Sequence, residues 1–365
     1  MSEIGPLETE IRRRIEVGGP MAVVQYMQLC LAHPKHGYYT SRDPLGESGD
    51  FVTAPEISQM FGELVGLWAA AAWRAMGSPA KVRLVELGPG RGTLMMDALR
   101  AAKVMPDFRS AISLHLVEIS PTLERLQRQT LSGEIPAAWH RSIEDVPDGP
   151  CILLANEFFD ALPIHQAVMC ADGWHERAIK IGEDGNLHFS IDRDPIPLFD
   201  EFLPSGLRAA KIGEVFEWRA DKTVLEIARR VVRSNGVALI IDYGHLQSAI
   251  GDTLQAVAGH AYADPLKAPG LVDLTAHVDF QAVAQAAEGM GARVHGPVTQ
   301  AEFLRRLGIQ ERATALKSGA PVEYATAIEA ALSRLTDEER TGMGALIKAV
   351  ALSAPGLDTL PALET

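Results

Sequence analysis

The chain has 365 residues, of which 47% are hydrophobic, so it can bury a sizeable core as one large or two ordinary domains. Its formal net charge of -13 supplies no overall positive field to draw it toward nucleic acid or an anionic membrane. Three cysteines, Cys30, Cys151 and Cys170, have no close metal-ligand spacing; their odd number argues against a disulfide framework, and they read as buried or inert thiols, with no metal expected.

In chain order, the first twenty residues mix Glu3, Glu8, Glu10 and Glu16 with Arg12, Arg13 and Arg14, and no apolar segment follows the basic run. That is unlike a secretory signal or transit peptide, and no apolar run reaches the length of a membrane span, so a soluble, cytoplasmic protein without membrane insertion is expected. Residues 6–32 carry a helical apolar face interrupted at Gly18-Gly19-Pro20. A turn-rich stretch, His33 to Tyr39, and a second loop, Gly46 to Pro55, precede a helix over 56–76. The two loops read either as connectors or as a lid over a ligand.

Val82 to Leu87 is a short apolar run ending in a turn with Gly88, Gly90 and Gly92 at alternate positions, and helical periodicity resumes at Thr93. Strand, glycine turn and helix open a nucleotide-binding α/β domain. A second strand, Ile112 to Glu118, ends in an acid placed to hydrogen-bond ribose hydroxyls, and Ser120-Pro121 starts the next helix. If Trp139 to Asp145 is the third strand and its loop, Ser142 and Ile143 reach an adenine. The fourth strand, Cys151 to Ala155, ends in Asn156-Glu157-Phe158-Phe159-Asp160-Ala161-Leu162-Pro163, at the edge where open parallel sheets bind ligands.

Residues 164–213 read as a β-rich insertion with a hairpin signal at Gly182 to Asn186 and a loop-like end. A helix around 214–234 leads to a fifth strand, Val237 to Gly244. The stretch 245–272 reads as a long loop, within an active-site segment running to 280, and Thr275 or Asp279 is placed to cap the following helix. Arg293 to Val298 is a sixth strand; 299–353 reads as mainly helical, 337–352 included, with a frayed tail from Ala354. The expected division is a helical segment with lid loops at 1–76, a Rossmann-like core at 77–300 and a helical region at 301–365.

The ligand follows from the glycine spacing. A dinucleotide fingerprint is G-x-G-x-x-G, whereas here the third glycine comes one residue early and Glu86 sits just before the turn. A carboxylate there repels a pyrophosphate but pairs with an ammonium, as carried by S-adenosyl-L-methionine (SAM). A glycine turn of purely structural use is the alternative.

These motifs, with Gly37-Tyr38-Tyr39, Gly49 to Ser58, Phe61 to Leu64, Ile241 to Gly244 and Asp273 to Phe280, occur in an order that resembles the MidA-like methyltransferases, the family of the mitochondrial complex I assembly arginine methyltransferase. The resemblance covers most of residues 20–310. It implies a class I SAM-dependent methyltransferase fold and a protein arginine methyltransferase that makes symmetric dimethylarginine on a respiratory complex I core subunit. Without the presequence of the organellar members, the chain resembles a bacterial one, and a homodimer is considered. The cofactor-binding residues expected are Phe51, Thr53, Glu86, Gly88, Gly90, Gly92, Glu118, Ile119, Ser142, Ile143 and Asn156. Those expected at the substrate are Tyr38, Phe158, Phe159 and Tyr243. Glu157 and Asp160 are the acids expected to hold a guanidinium; His277 is either a proton acceptor or a structural histidine at a helix start. Two other readings are a nucleic-acid base methyltransferase, from a loose likeness of Asn156 to Phe159 to the loop of amino-methylating enzymes, and a non-catalytic complex I assembly chaperone that binds SAM.

Overall fold

The computed structural model describes residues 4–41, 53–259, 261–339 and 342–364. Its strands begin with β1 (Met21–Ala22), β2 (Val82–Leu87), β3 (Ile112–Val117), β4 (Ala137–His140) and β5 (Cys151–Asn156). Next come β6 (Ile164–Cys170), β7 (Gly173–Ile181), β8 (Leu187–Pro195) and β9 (Val215–Arg219). The last are β10 (Val237–His245), β11 (Gln255–Ala258), β12 (Ala261–Ala263), β13 (Asp273–Thr275), β14 (Val278–Asp279), β15 (Arg293–Thr299) and β16 (Ile347–Ser353).

The chain divides into two units. One comprises Val52–Phe159, Asp221–Leu246 and Phe280–Thr365, and is built on a sheet with the order β15-β16-β10-β5-β2-β3-β4. The strands from β10 to β4 are parallel, while β16 runs antiparallel to both β10 and β15. Runs such as Cys151-Ile152-Leu153-Leu154-Ala155 are apolar throughout because both faces of a parallel sheet are covered. Helices Lys222–Ser234 and Phe280–Gly289 pack on one another and on β10.

Helix Gln59–Ala75 is capped by Ser58, whose side chain accepts from the Met60 amide. It lies against helix Thr93–Ala101, the helix that leaves the glycine turn. The approach is close: a Cβ on Gly66 would stand 2.6 Å from both the Cα and the carbonyl oxygen of Ala98. Glycine at that crossing seats the helix that carries the turn.

The other unit comprises Met1–Phe51, Asp160–Ala220 and Gln247–Asp279. Its larger sheet has the order β1-β7-β6-β9, with β8 paired to β7, and a small sheet has the order β12-β11-β13. Helices Pro6–Gly18 and Val23–Ala32 bury Leu7, Ile11, Tyr26 and Met27 in a core shared with Ile164, Ile179 and Leu274.

Four local expectations are corrected. Of the helix expected over 337–352, only Met343–Leu346 is helical among the described residues, and Ile347 to Ser353 is β16, buried at every position; a short apolar run looks the same in a buried strand and a buried helix. The tail from Ala354 is packed, with Leu357, Leu360 and Leu363 in the core and the Pro361 carbonyl accepting from Trp68 Nε1 at 3.0 Å. The helix expected from 214 begins at Lys222, and Val215–Arg219 is a strand. The long loop at 245–272 contains β11 and β12.

The Gly66 crossing makes a prediction. Gly66→Ala should lower unfolding free energy by about 1–3 kcal/mol through overpacking, although alanine favours a helix. Gly18→Ala, where nothing lies within 4 Å of the new Cβ, should raise it by roughly 0.5–1 kcal/mol. Denaturant unfolding of the two variants checks the opposite signs.

Candidate active site

Gly88, Gly90 and Gly92 all take positive φ, at 60°, 55° and 83°, where residues with a Cβ are strained. At Gly88 a Cβ would also meet Phe158 Cδ2 at 2.7 Å, so the Phe158 ring lies against the turn. The Gly88 amide donates to the Val117 carbonyl at 3.0 Å, which ties the turn to the end of β3.

Two carboxylates flank this turn. Glu118 is buried, accepting from the Ser120 amide at 2.7 Å and from Gln127 Nε2 at 2.9 Å. Gln127 Nε2 also donates to the Gly90 carbonyl at 2.8 Å, and Gln127 Oε1 accepts from Trp139 Nε1 at 2.9 Å. Gln127 is fully buried and joins the turn to the acid at the end of the second strand. It sits mid-helix in Pro121–Thr130, and no sequence signal sets it apart.

Glu86 is only 3% exposed, and its Oε2 has no hydrogen-bond partner among the described residues. Burial, with Glu118 nearby, pushes its carboxyl up to about 8; burial likewise raises Glu118 to about 7. Asn156 Oδ1, at the end of neighbouring β5, is a second buried acceptor without a partner. Unmet buried acceptors cost about 1–3 kcal/mol each, so they mark a place where a donor is expected.

Ile119 is 47% exposed beside Glu118. Ser142 and Asp145 close a capping box at the short helix Ile143–Asp145, which holds the Ser142 hydroxyl, and Ile143 is buried.

Past β5 the chain makes a fixed corner. Glu157 takes φ 46°, a conformation that costs a non-glycine residue about 1 kcal/mol or more and persists only where its surroundings impose it. Its amide donates to the Ile241 carbonyl at 2.8 Å, and its Oε1 accepts from the Ala54 amide at 2.8 Å and from Asn156 Nδ2 at 3.3 Å. The Phe158 and Phe159 amides both donate to Asp242 Oδ2, at 3.0 and 2.7 Å. Asp242 is fully buried, and its Oδ1 accepts from the Tyr243 amide. Phe159 is buried edge-on to Phe158, and Tyr243 is half-buried. Thr53 precedes helix Ala54–Ile57, from which Glu56 accepts a hydrogen bond from Thr93 Oγ1 at 2.5 Å.

Thr53, Glu86, the three glycines, Glu118, Ile119, Ser142, Ile143, Asn156, Glu157, Phe158, Phe159 and Tyr243 thus all belong to one unit. Asp160, Tyr38 and His277 belong to the other. Asp160 is buried, and burial raises its carboxyl to about 6 against the pull of Arg219. Tyr38 is fully buried, edge-on to Tyr39, and the Tyr39 hydroxyl donates to Asp273 at 3.0 Å. Phe51, and with it Gly46–Val52 of the second loop of the expected lid, lies outside the described residues.

A family model described as an S-adenosyl-L-methionine-dependent methyltransferase matches residues 64–298. A relative from Drosophila melanogaster, named as a mitochondrial homolog of protein arginine methyltransferase NDUFAF7, is 38% identical over 93% of this chain and 83% of its own length. The chain belongs to this MidA-like methyltransferase family. The Danio rerio protein of the same name, also mitochondrial, is 39% identical over 84% of this chain and 77% of its own. A solved Burkholderia thailandensis structure bound to S-adenosyl-homocysteine superposes with a TM-score of 0.85 at 27% identity, covering 100% of this chain and 97% of that one.

The protein is therefore an enzyme, a SAM-dependent methyltransferase of the class I α/β fold, with SAM as its cofactor. The expectation of a cytoplasmic location is corrected: the relatives are named mitochondrial. Charge and hydropathy do not record a compartment. No helix among the described residues is long and apolar enough to cross a membrane, and no group of acids, histidines and cysteines there is arranged to hold a metal.

The residues present fit the cofactor. Glu86 Oε2 and Asn156 Oδ1 are acceptors for an ammonium, and each Glu118 oxygen has a further lone pair for a ribose hydroxyl.

Glu86 gives this site a pH signature. Folded Glu86 keeps its proton to about 8 while the unfolded chain loses it near 4.5, so the ligand-free protein loses stability as pH rises across that interval. Glu86→Gln removes this loss, and its stability relative to the parent should climb from pH 6 to pH 9. Thermal unfolding curves that stay parallel over that range would contradict the assignment.

Proposed function

We propose that this methyltransferase acts on arginine side chains of a protein substrate, a respiratory complex I core subunit, and forms symmetric dimethylarginine. The relatives' names support the arginine and the protein; the family resemblance supports the complex I subunit. The observation that carries the reading is Glu157, an acid fixed in the left-handed region one residue past the strand that ends in Asn156.

SAM, when bound, supplies a methyl group already activated on a sulfonium. The protein then has to position the acceptor, exclude water and take one proton. A guanidinium is protonated at neutral pH and is a poor nucleophile. A carboxylate accepts from two edges of its planar fork and aims one nitrogen. Glu157 is proposed for that task, its side chain anchored through Oε1 to the Ala54 amide. Asp160, three residues on in the same motif, is proposed as the second acid. Burial raises its carboxyl above the usual carboxylate range, which makes it a better proton acceptor than an ordinary aspartate. His277 remains a proposed proton acceptor.

In the cofactor site, Glu86 and Asn156 are proposed to take the ammonium. Glu118 takes the ribose hydroxyls, Ile119, Ser142 and Ile143 border the adenine, and Gly88, Gly90, Gly92, Thr53 and Phe51 lie along the ligand. Phe158 and Phe159 are proposed to stack on the guanidinium face, with Tyr38 and Tyr243 also at the substrate.

Methyl-labelled SAM and recombinant, unmethylated complex I core subunits test the reading. Label should appear in arginine. Glu157→Gln keeps an acceptor for the Ala54 amide, so it should retain affinity for S-adenosyl-homocysteine while kcat falls on the order of a hundredfold. Full transfer by the Glu157→Gln, Asp160→Asn double variant would remove the two acids from the mechanism. Label in lysine or RNA would remove the substrate class.

A further inference from the structure

Strand β9 was not expected from the sequence, and its last residue makes an unusual set of bonds. The Arg219 guanidinium donates to four backbone carbonyls: Nε to Leu162 at 3.2 Å, Nη1 to His277 at 2.6 Å, and Nη2 to Ala276 at 2.5 Å and Asp160 at 3.3 Å. These carbonyls lie on two segments far apart in sequence, and a backbone bond from the Ala276 amide to the Asp160 carbonyl at 3.1 Å also joins them. Each segment carries one residue proposed for the reaction, Asp160 on the first and His277 on the second.

Glu217, two residues earlier on β9, extends the arrangement. It accepts from the Thr253 amide at 3.1 Å, the Leu254 amide at 3.2 Å, Gln166 Nε2 at 2.6 Å and the Thr253 hydroxyl. Thr253 Oγ1 in turn accepts from the His277 amide at 2.9 Å. His277 is thereby held at its amide through Glu217 and at its carbonyl by Arg219.

We propose that Arg219 is a positioning residue for methyl transfer, fixing the backbone of Asp160 and His277 with one planar fork. This rests on the reading of Asp160 as an acid of the reaction. Only arginine offers five donors in a rigid plane; lysine keeps the charge but not the fork. Arg219 also acts on the Asp160 carboxyl as a nearby cation, and Tyr39, hydrogen-bonded to Asp273, is a further titratable neighbour of that carboxyl. Loss of the cation therefore raises the pH at which Asp160 ionises.

The test compares Arg219→Lys and Arg219→Gln in labelled transfer to the same complex I subunits, with affinity for S-adenosyl-homocysteine measured alongside. Both variants should bind S-adenosyl-homocysteine within about twofold of the parent and lose kcat on the order of a hundredfold, as expected of misplacement. The acid limb of the pH–rate profile should stay in place for Arg219→Lys and move to higher pH for Arg219→Gln, which a merely structural arginine would not produce. Parent kcat in Arg219→Lys overturns the proposal, even if Arg219→Gln fails to fold. Parent kcat with an unmoved acid limb in a folded Arg219→Gln overturns it equally. An Asp160→Asn variant separates the failures: if it transfers at the parent rate, the role of Asp160 fails; if it is inactive while both Arg219 variants are fully active, only the positioning role fails.

Discussion

A buried carboxyl with one oxygen unpartnered among the described residues is the constraint on which the proposed cofactor site depends. Glu86 lies near the end of a central strand, where it is buried and Glu118 is close enough to oppose its ionisation. In the ligand-free protein it keeps its proton. A cationic ligand group reverses that balance, because an opposite charge in a dry setting favours the ionised form. The glycine turn that follows has positive φ at all three glycines, so the backbone itself can form the wall of the site. Gln127 then ties that wall to Glu118.

Asp242 does for the neighbouring corner what Gln127 does for the turn. It takes the amides of Phe158, Phe159 and Tyr243, so the segment after β5 is fixed by β10 itself. Glu157 has no freedom to relax from its left-handed conformation, since its amide and its carboxylate are both bonded. Strain held in this way is found where a side chain has to be aimed.

The parts legible in the sequence were those whose chemistry depends on residue type at a local spacing. Three alternating glycines, Glu86 before them and Glu118 at the next strand end could be read because glycine takes positive φ without strain and because an acid at a strand end is conspicuous. Gln127, Asp242 and Arg219 were not legible as site residues. Each works by hydrogen bonds to backbone groups or side chains distant in sequence, and no spacing announces such partners. β16 was missed because Ile347 to Ser353 is a short, wholly buried run, which carries no period. The compartment was misjudged because a folded chain's composition is silent about it.

The most direct measurement is the proton balance of cofactor-site binding at pH 7. Calorimetric titrations in buffers of different ionisation enthalpy, using S-adenosyl-homocysteine and 5′-methylthioadenosine, separate the ammonium from the adenosine. If Glu86 gives up its proton to meet the ammonium, S-adenosyl-homocysteine binds more tightly and releases more protons than methylthioadenosine, which lacks the ammonium and meets only Glu118. Equal affinities with equal proton release for the two ligands would contradict the account.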